Sequence, residues 1–214
     1  MVTFYIIRHG ETLLNSLGRA QGWSDSPLTD HGKKTAMELG LEIKGTIFHA
    51  AYASDTLRAG QTAELILSIS GNSAIKVQKD MRLREWCLGS MDAEHNTTFI
   101  KAVSDWLGVS SFTELNKRLP DVAAAIYEHD TTGMAEPFTD IANRLEGVFM
   151  DIVQNKLSNE NSNILVVTHA FAIKTLLYLF APEQLCAVEK VKNAAISRLI
   201  YDEGKFHFQE MERK

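Results

Sequence analysis

The chain has 214 residues, 45% of them hydrophobic, with only 4 prolines and no long polar tract, which is enough for one domain with a sizeable core. A net charge of -5 and a pI near 5.8 exclude broad binding to nucleic acid or acidic membranes, so any affinity for anions must be local, in a few placed arginines. Cys87 and Cys186 stand far apart and in no Cys/His cluster, which excludes a disulfide framework and a zinc site and leaves two reduced thiols. The first strand begins without a basic and apolar leader, and the longest apolar run, 176–181, is too short to span a bilayer, so a cytoplasmic protein is expected.

Residues 2–7 are a continuous apolar, β-favouring run, read as a buried strand, and they stop at Arg8-His9-Gly10. At the end of a strand in an open α/β sheet, a cation beside an imidazole suits an anionic, phosphate-like group, and the glycine lets the chain turn and approach a ligand. The triplet alone is equally that of a surface ion pair and a satisfied strand-end histidine. A loop rich in turn formers follows, Gly18-Arg19-Ala20-Gln21-Gly22-Trp23-Ser24-Asp25-Ser26-Pro27, then Thr29 as the cap of a helix over 30–44 with His31 exposed in its first turn.

A second strand, 46–53, leads to Ser54-Asp55-Thr56-Leu57-Arg58. Ser54 is expected to cap the next helix, Asp55 to favour its positive end, and Arg58 to turn back across the crevice mouth, making a phosphate cradle of helix terminus and guanidinium. Taken by itself the segment is also that of an ordinary surface arginine. A short strand at 75–77 precedes Leu83-Arg84-Glu85-Trp86-Cys87-Leu88, where apolar neighbours would raise the carboxyl pKa of Glu85 enough for it to act as an acid, unless it pairs with Arg82 or Arg84.

From 90 to 137 there is no strand signal, only helical patterns at 96–107 and 111–129 and a loop, which reads as a helical cap inserted over the sheet edge. His95 and His129 there carry no motif. Thr139 is expected to cap a long helix with apolar residues at 141, 145, 148, 149, 152 and 153. After a polar turn, Ile164-Leu165-Val166-Val167-Thr168-His169-Ala170 repeats the opening design, a strand ending in histidine and followed at once by a helix. A terminal hairpin, 194–201 and 205–210, closes the chain.

The ordered set Arg8-His9-Gly10-Glu11-Thr12, Ser54-x-x-x-Arg58-x-x-Gln61-Thr62-Ala63, Leu83-x-Glu85-x-x-x-Gly89 and Val166-x-x-His169 resembles the histidine phosphatase superfamily in its phosphoglycerate mutase-like branch. The loop from Gln21 to Gly32 and the pair Glu136 and Arg144 belong to the same resemblance, which spans nearly the whole chain. It implies a single domain, 1–214, with a three-layer α/β/α sandwich, a mostly parallel central sheet and the cap at 90–137. It implies also that His9 is a nucleophile that becomes a phosphohistidine; that Arg8, Arg58 and His169 bind the phosphoryl group, with Asn15, Gln21, Gly22 and the Ala170 N–H adding hydrogen bonds; and that Glu85 is the proton donor. Two guanidinium forks and an imidazolium would then supply the positive charge that phosphoryl transfer needs, with no metal and no cofactor. His9 would need one ring nitrogen to donate to an acceptor, leaving the other unprotonated.

The chain departs from the family pattern at Met91-Asp92-Ala93, at Ala170 in place of glycine, and at Pro137 after Glu136. The expected function is a metal-independent phosphomonoester phosphatase acting on a small phosphorylated metabolite, with no nucleic-acid or membrane partner and a homo-oligomer left open. A phosphoglycerate-type mutase is the alternative, disfavoured because the stretch after Glu85 carries two acids and no added cation. A non-catalytic phosphoester-binding protein comes third, since all the catalytic groups are present.

Overall fold

Alternation along two adjacent strands decides how the layers form. The structure, a computed structural model, describes residues 1–109, 111–156, 161–185, 188 and 190–209. In β1 (Val2–Arg8), Phe4 and Ile6 point to one face of the sheet and Ile7 to the other. After it come α1 (Leu13–Ser16), α2 (Asp30–Glu42), β2 (Ala50–Ala53), α3 (Leu57–Ser70) and β3 (Val77–Lys79). Two 3-10 turns, Met81–Leu83 and Gly89–Met91, lead to α4 (Asn96–Leu107), α5 (Phe112–Lys117), α6 (Leu119–His129) and α7 (Phe138–Lys156). β4 (Ser162–Thr168), α8 (Ala170–Phe180), α9 (Pro182–Leu185), β5 (Ile196–Asp202) and β6 (Lys205–Phe208) complete the fold.

The sheet order is β3-β2-β4-β1-β5-β6; the first four strands are parallel, and β5 and β6 are antiparallel additions at the other edge. In β4, Ile164 and Val166 join Phe4 and Ile6 under α7, α8 and the helices of the 90–137 segment, whereas Leu165 and Val167 join Ile7 under α2 and α3. Each of these apolar side chains is fully buried, worth about 1.5–3 kcal/mol apiece relative to exposure. The result is the expected α/β/α sandwich. Among the described residues no helix is long and apolar enough to cross a membrane.

Three local expectations are corrected. The helix over 111–129 is broken at Arg118 (φ -119°, ψ 39°), because Pro120 has no N–H to continue the ladder and clashes one turn back, so it starts a new helix instead. Thr139 lies inside α7, whose first turn opens on the Pro137 carbonyl, accepting from Asp140 and Ile141. Ser54 does not cap α3: Thr56 stands at the cap, and the N–H of Leu57 is taken by the carboxylate of Asp25. The hairpin turns on Glu203 and Gly204, both at positive φ (47° and 82°), as the tight connection of two antiparallel strands requires. Cys186 and Glu210 lie outside the described residues; Cys87 is a free, buried thiol.

α2, after β1, covers one face of the sheet, and α8, after β4, covers the other. Between these two neighbouring strands the chain thus leaves on opposite faces, which opens a crevice beyond their carboxyl ends. A close approach shapes it. A Cβ on Gly10 would lie 2.5 Å from the Gly32 carbonyl oxygen, and one on Gly32 2.1 Å from that of Glu11. Gly10 is therefore glycine so that the first turn of α2 can pack against the strand end, rather than to admit a ligand.

Candidate active site

Parallel pairing in register sets Arg8 opposite Thr168, and the His9 N–H continues the ladder to the Thr168 carbonyl at 3.0 Å. The two strand-end histidines, distant in sequence, are thereby neighbours, with ring centroids 5.1 Å apart and planes at 62°. Around them Arg58 is 0% exposed, His169 0%, His9 3% and Glu85 4%, whereas Arg8 is half-buried.

His9 Nδ1 lies 2.8 Å from the Gly10 carbonyl oxygen. That oxygen can only accept, so Nδ1 carries the proton and Nε2 of the neutral ring is left with a lone pair. Burial, then the Arg58 and Arg8 charges, hold the His9 pKa well below its ordinary value and keep the ring neutral.

His169 has the complementary tautomer. Its Nδ1 faces Arg58 Nη2 at 3.2 Å and must accept, so its proton sits on Nε2, a buried atom with no hydrogen-bond partner among the described residues. Burial and the Arg58 charge lower this pKa too, so the expected imidazolium is instead a neutral N–H donor. The enclosed Nε atoms of Arg8 and Arg58 are also without partners among the described residues. Three enclosed N–H donors without partners among the described residues are costly in a folded protein unless a ligand or water accepts from them.

Each arginine is otherwise anchored. Arg8 Nη1 donates to the Val191 carbonyl at 2.7 Å, and burial draws its pKa down to about 10, which leaves it charged at neutral pH. Arg58 donates through Nη1 to the Ser24 carbonyl (2.8 Å) and Asp25 (3.1 Å), and through Nη2 to the Gly22 carbonyl (2.7 Å). The carboxylate of Asp25 thus fills the position between the α3 terminus and Arg58 where the sequence suggested a phosphate cradle. Asp55 is drawn away as well, onto Arg84 at 2.6 Å and 2.7 Å. With Nη1 and Nη2 engaged, only Nε of Arg58 is left without a partner among the described residues.

Glu85 pairs with neither nearby arginine: Arg82 is taken by Asp80 and Asp151, and Arg84 by Asp55. Its carboxylate accepts from the N–H groups of Trp86 (3.1 Å), Phe171 (3.0 Å) and Ala172 (2.9 Å), the last two in the first turn of α8. Burial raises its pKa above the ordinary value; the three N–H donors oppose that rise without cancelling it. Arg144 holds the segment by donating to the carbonyls of Arg82 (2.8 Å), Arg84 (2.7 Å) and Glu85 (2.9 Å), and it is itself clamped by Glu136 through Nε at 2.8 Å and Nη2 at 2.9 Å.

The remaining expected residues divide. Thr12 caps the short α1, its hydroxyl accepting from the Asn15 N–H at 3.2 Å, and Asn15 Oδ1 accepts in return from the Thr12 N–H at 3.4 Å. Ala170 is the first residue of α8, beside His169, at an ordinary helical backbone without positive φ. Gln21 is turned into its own loop, accepting from Thr12 Oγ1 at 2.7 Å and donating to the Ser24 carbonyl and Ser26. Gly22 gives its N–H to Asp92 and its carbonyl to Arg58. Asp92, which sequence reading counted as a repulsive acid, is a loop clamp: its carboxylate accepts from the N–H groups of Gly22, Trp23 and Ser24 and from the Ser24 hydroxyl, at 2.7–3.0 Å. Asn193, just before β5, was missed entirely; it touches both His9 and Asn15. A lone asparagine in a turn carries no signal of its own. A cavity of about 480 Å³ between Trp23, Asp25, Asp55, Arg84 and Met134 includes none of His9, Arg8, Arg58, Glu85 and His169 among its lining residues.

The model of the histidine phosphatase superfamily (branch 1) matches residues 4–214, and the chain belongs to that superfamily. Within it, the chain is 28% identical over 206 residues to the probable phosphoglycerate mutase GpmB of Citrobacter koseri, covering 95% of this chain and 87% of that protein. The fold is similar to the crystal structure of a phosphoglycerate mutase from Bacillus anthracis (TM-score 0.91, 34% identity, 98% of this chain and 92% of that one). It is similar also to Bacillus stearothermophilus YhfR, with a TM-score of 0.76, 29% identity, and 99% and 96% of the two chains covered.

Proposed function

We propose that the chain is a metal-independent phosphomonoester phosphatase in which His9 carries the phosphoryl group and the substrate is a small phosphorylated metabolite. The observation that supports this best is the set of enclosed N–H donors without partners among the described residues, Arg8 Nε, Arg58 Nε and His169 Nε2, together with a neighbouring histidine whose Nε2 holds a lone pair. Attack by His9 Nε2 forms an N–P bond as the P–O bond to the leaving group breaks, and the leaving oxygen takes the proton of Glu85. Water then attacks phosphorus and gives a proton to the Glu85 carboxylate; the N–P bond breaks, releasing inorganic phosphate and restoring His9. The two guanidinium charges and the His169 N–H offset negative charge on the equatorial oxygens, the term that dominates phosphoryl transfer.

Hydrolysis is favoured over transfer because no lysine or arginine lies between Glu85 and Ile100 to hold a second phosphate. The names of the GpmB relative and of the Bacillus anthracis structure favour the second reading, a phosphoglycerate-type mutase. Supplying 3-phosphoglycerate with 2,3-bisphosphoglycerate and following both inorganic phosphate and 2-phosphoglycerate separates the two. Phosphate is expected to dominate the products, with an acid-labile label on the wild type and none on His9→Ala. Isomer formation far faster than phosphate release makes the chain a mutase, and full activity in His9→Ala removes both readings.

A further inference from the structure

Asn193 lies in the turn before β5, the strand that flanks β1 on the edge away from β4. Its Nδ2 donates to the His9 carbonyl oxygen at 3.0 Å and to Asn15 Oδ1 at 3.3 Å. The turn that carries it is fastened to the same strand end: the Ala194 N–H donates to the Arg8 carbonyl at 3.0 Å, and Arg8 gives its own N–H to the Ala195 carbonyl at 3.2 Å. Ala194 holds φ at 56°, a left-handed conformation that an alanine adopts only when its surroundings impose it.

An asparagine amide presents an acceptor on one side and a donor on the other, and its neighbours decide which way round it sits. Asn15 Oδ1 receives both the Thr12 N–H and the Asn193 amide. Two donors on one oxygen fix that oxygen inward, and Asn15 Nδ2 becomes the group left to face a ligand. A reversed Asn15 would put an acceptor against phosphoryl oxygens and repel them. We infer that Asn193 is a positioning residue: it sets the amide orientation of Asn15 so that Asn15 donates to the phosphoryl group, while bracing the His9 backbone. This rests on the proposed phosphoryl site but not on what becomes of the phosphoryl group afterwards.

The test is a double-mutant cycle read by the affinity of the full chain for inorganic phosphate, with thermal melting to check folding. Asn15→Ala and Asn193→Ala should each weaken phosphate binding about tenfold or more, the usual loss of one hydrogen bond to a charged acceptor, and the double variant should bind no more weakly than Asn193→Ala alone. Asn193→Asp is the second arm. Its carboxylate cannot donate to Asn15 Oδ1, so Asn15 should reverse and binding should fall below that of Asn193→Ala. Losses that multiply in the double variant, or wild-type affinity in Asn193→Asp, overturn the inference, as does a wild type that binds no phosphate. Phosphate binding with a non-additive cycle but no turnover of p-nitrophenyl phosphate leaves the inference standing and removes the proposed function instead.

Discussion

Arg58 Nη2 stands 3.2 Å from His169 Nδ1, and because a guanidinium can only donate, this contact decides where the proton of His169 resides. With the Gly10 carbonyl setting the opposite tautomer on His9, two adjacent imidazoles present a lone pair from one and an N–H from the other. Neither ring is charged at rest, so the standing positive charge in the centre comes from Arg8 and Arg58. Arg58 combines three tasks: it supplies charge, orients His169, and ties the 22–25 loop through two carbonyls and Asp25.

That combination predicts an unusually poor conservative substitution. Arg58→Ala should lower turnover by about 10² or more, as losing one charge-stabilising donor does. Arg58→Lys should recover little of it, since an ammonium cannot span the Gly22 and Ser24 carbonyls, Asp25 and His169 together. Steady-state kinetics of the two variants with one substrate checks this; near wild-type rates in Arg58→Lys would show that charge alone suffices.

The buried histidines make stability depend on pH in a definite direction. Both folded-state pKa values lie well below 6.5, so the unfolded chain takes up protons that the native chain refuses. Their contribution is fully present above about pH 6.5, the ordinary histidine value, and is lost as pH falls from there toward the depressed values. Denaturant unfolding at pH 7.5 and 5.5 should show lower stability at the acid value, with a smaller difference in His169→Asn. Activity should not follow: protonation of His9 should not limit kcat/KM until well below pH 6.5.

Strand ends were the most legible part of this chain. Unbroken apolar runs terminated by Arg8-His9 and by Thr168-His169 state both the strand and its end, and parallel register does the rest. Side-chain partners were less legible because charge complementarity has many solutions in sequence and one in space. Asp25 took the α3 terminus from Ser54, Asp55 went to Arg84, and Asp92 found loop N–H groups. Asn193 acquires meaning only because an antiparallel strand near the end of the chain pairs with β1.

Arg144 should prove a structural requirement of the acid-bearing segment. Its guanidinium serves three carbonyls and the Glu136 carboxylate in a largely buried position, with side-chain exposures of 14% and 15% for the pair. Arg144→Ala leaves Glu136 buried without its cation, which costs about 3–5 kcal/mol for pairs of this kind. Chemical denaturation would show that loss; a change below 1 kcal/mol would mean that the segment is held chiefly by Thr168, whose hydroxyl donates to the Leu83 carbonyl at 2.7 Å.

Removing divalent metal should leave the rate intact. The phosphoryl charge is offset in this proposal by two guanidinium groups, both anchored by protein carbonyls, so exhaustive chelation should not change kcat/KM. Loss of turnover with EDTA, restored by a divalent cation, would assign part of that charge to a metal.

Glu85 carries the prediction that separates the two halves of the reaction. Its carboxylate sits at the first turn of α8 with a pKa raised by burial, which suits a group that gives up a proton in one step and takes one in the next. Glu85→Gln keeps the shape but can do neither. For an alkyl phosphate, whose leaving oxygen must be protonated, phosphorylation of His9 should slow by about 10²–10⁴. For p-nitrophenyl phosphate the leaving group departs without a proton, so phosphorylation should proceed while hydrolysis of the N–P bond, deprived of its base, becomes limiting. Rapid-quench measurements on Glu85→Gln should therefore show a burst of about one p-nitrophenol per active site followed by a slow steady rate, with phosphohistidine accumulating, as is usual when a covalent intermediate is trapped. Equal slowing of both substrates with no burst would place Glu85 in binding rather than in proton transfer.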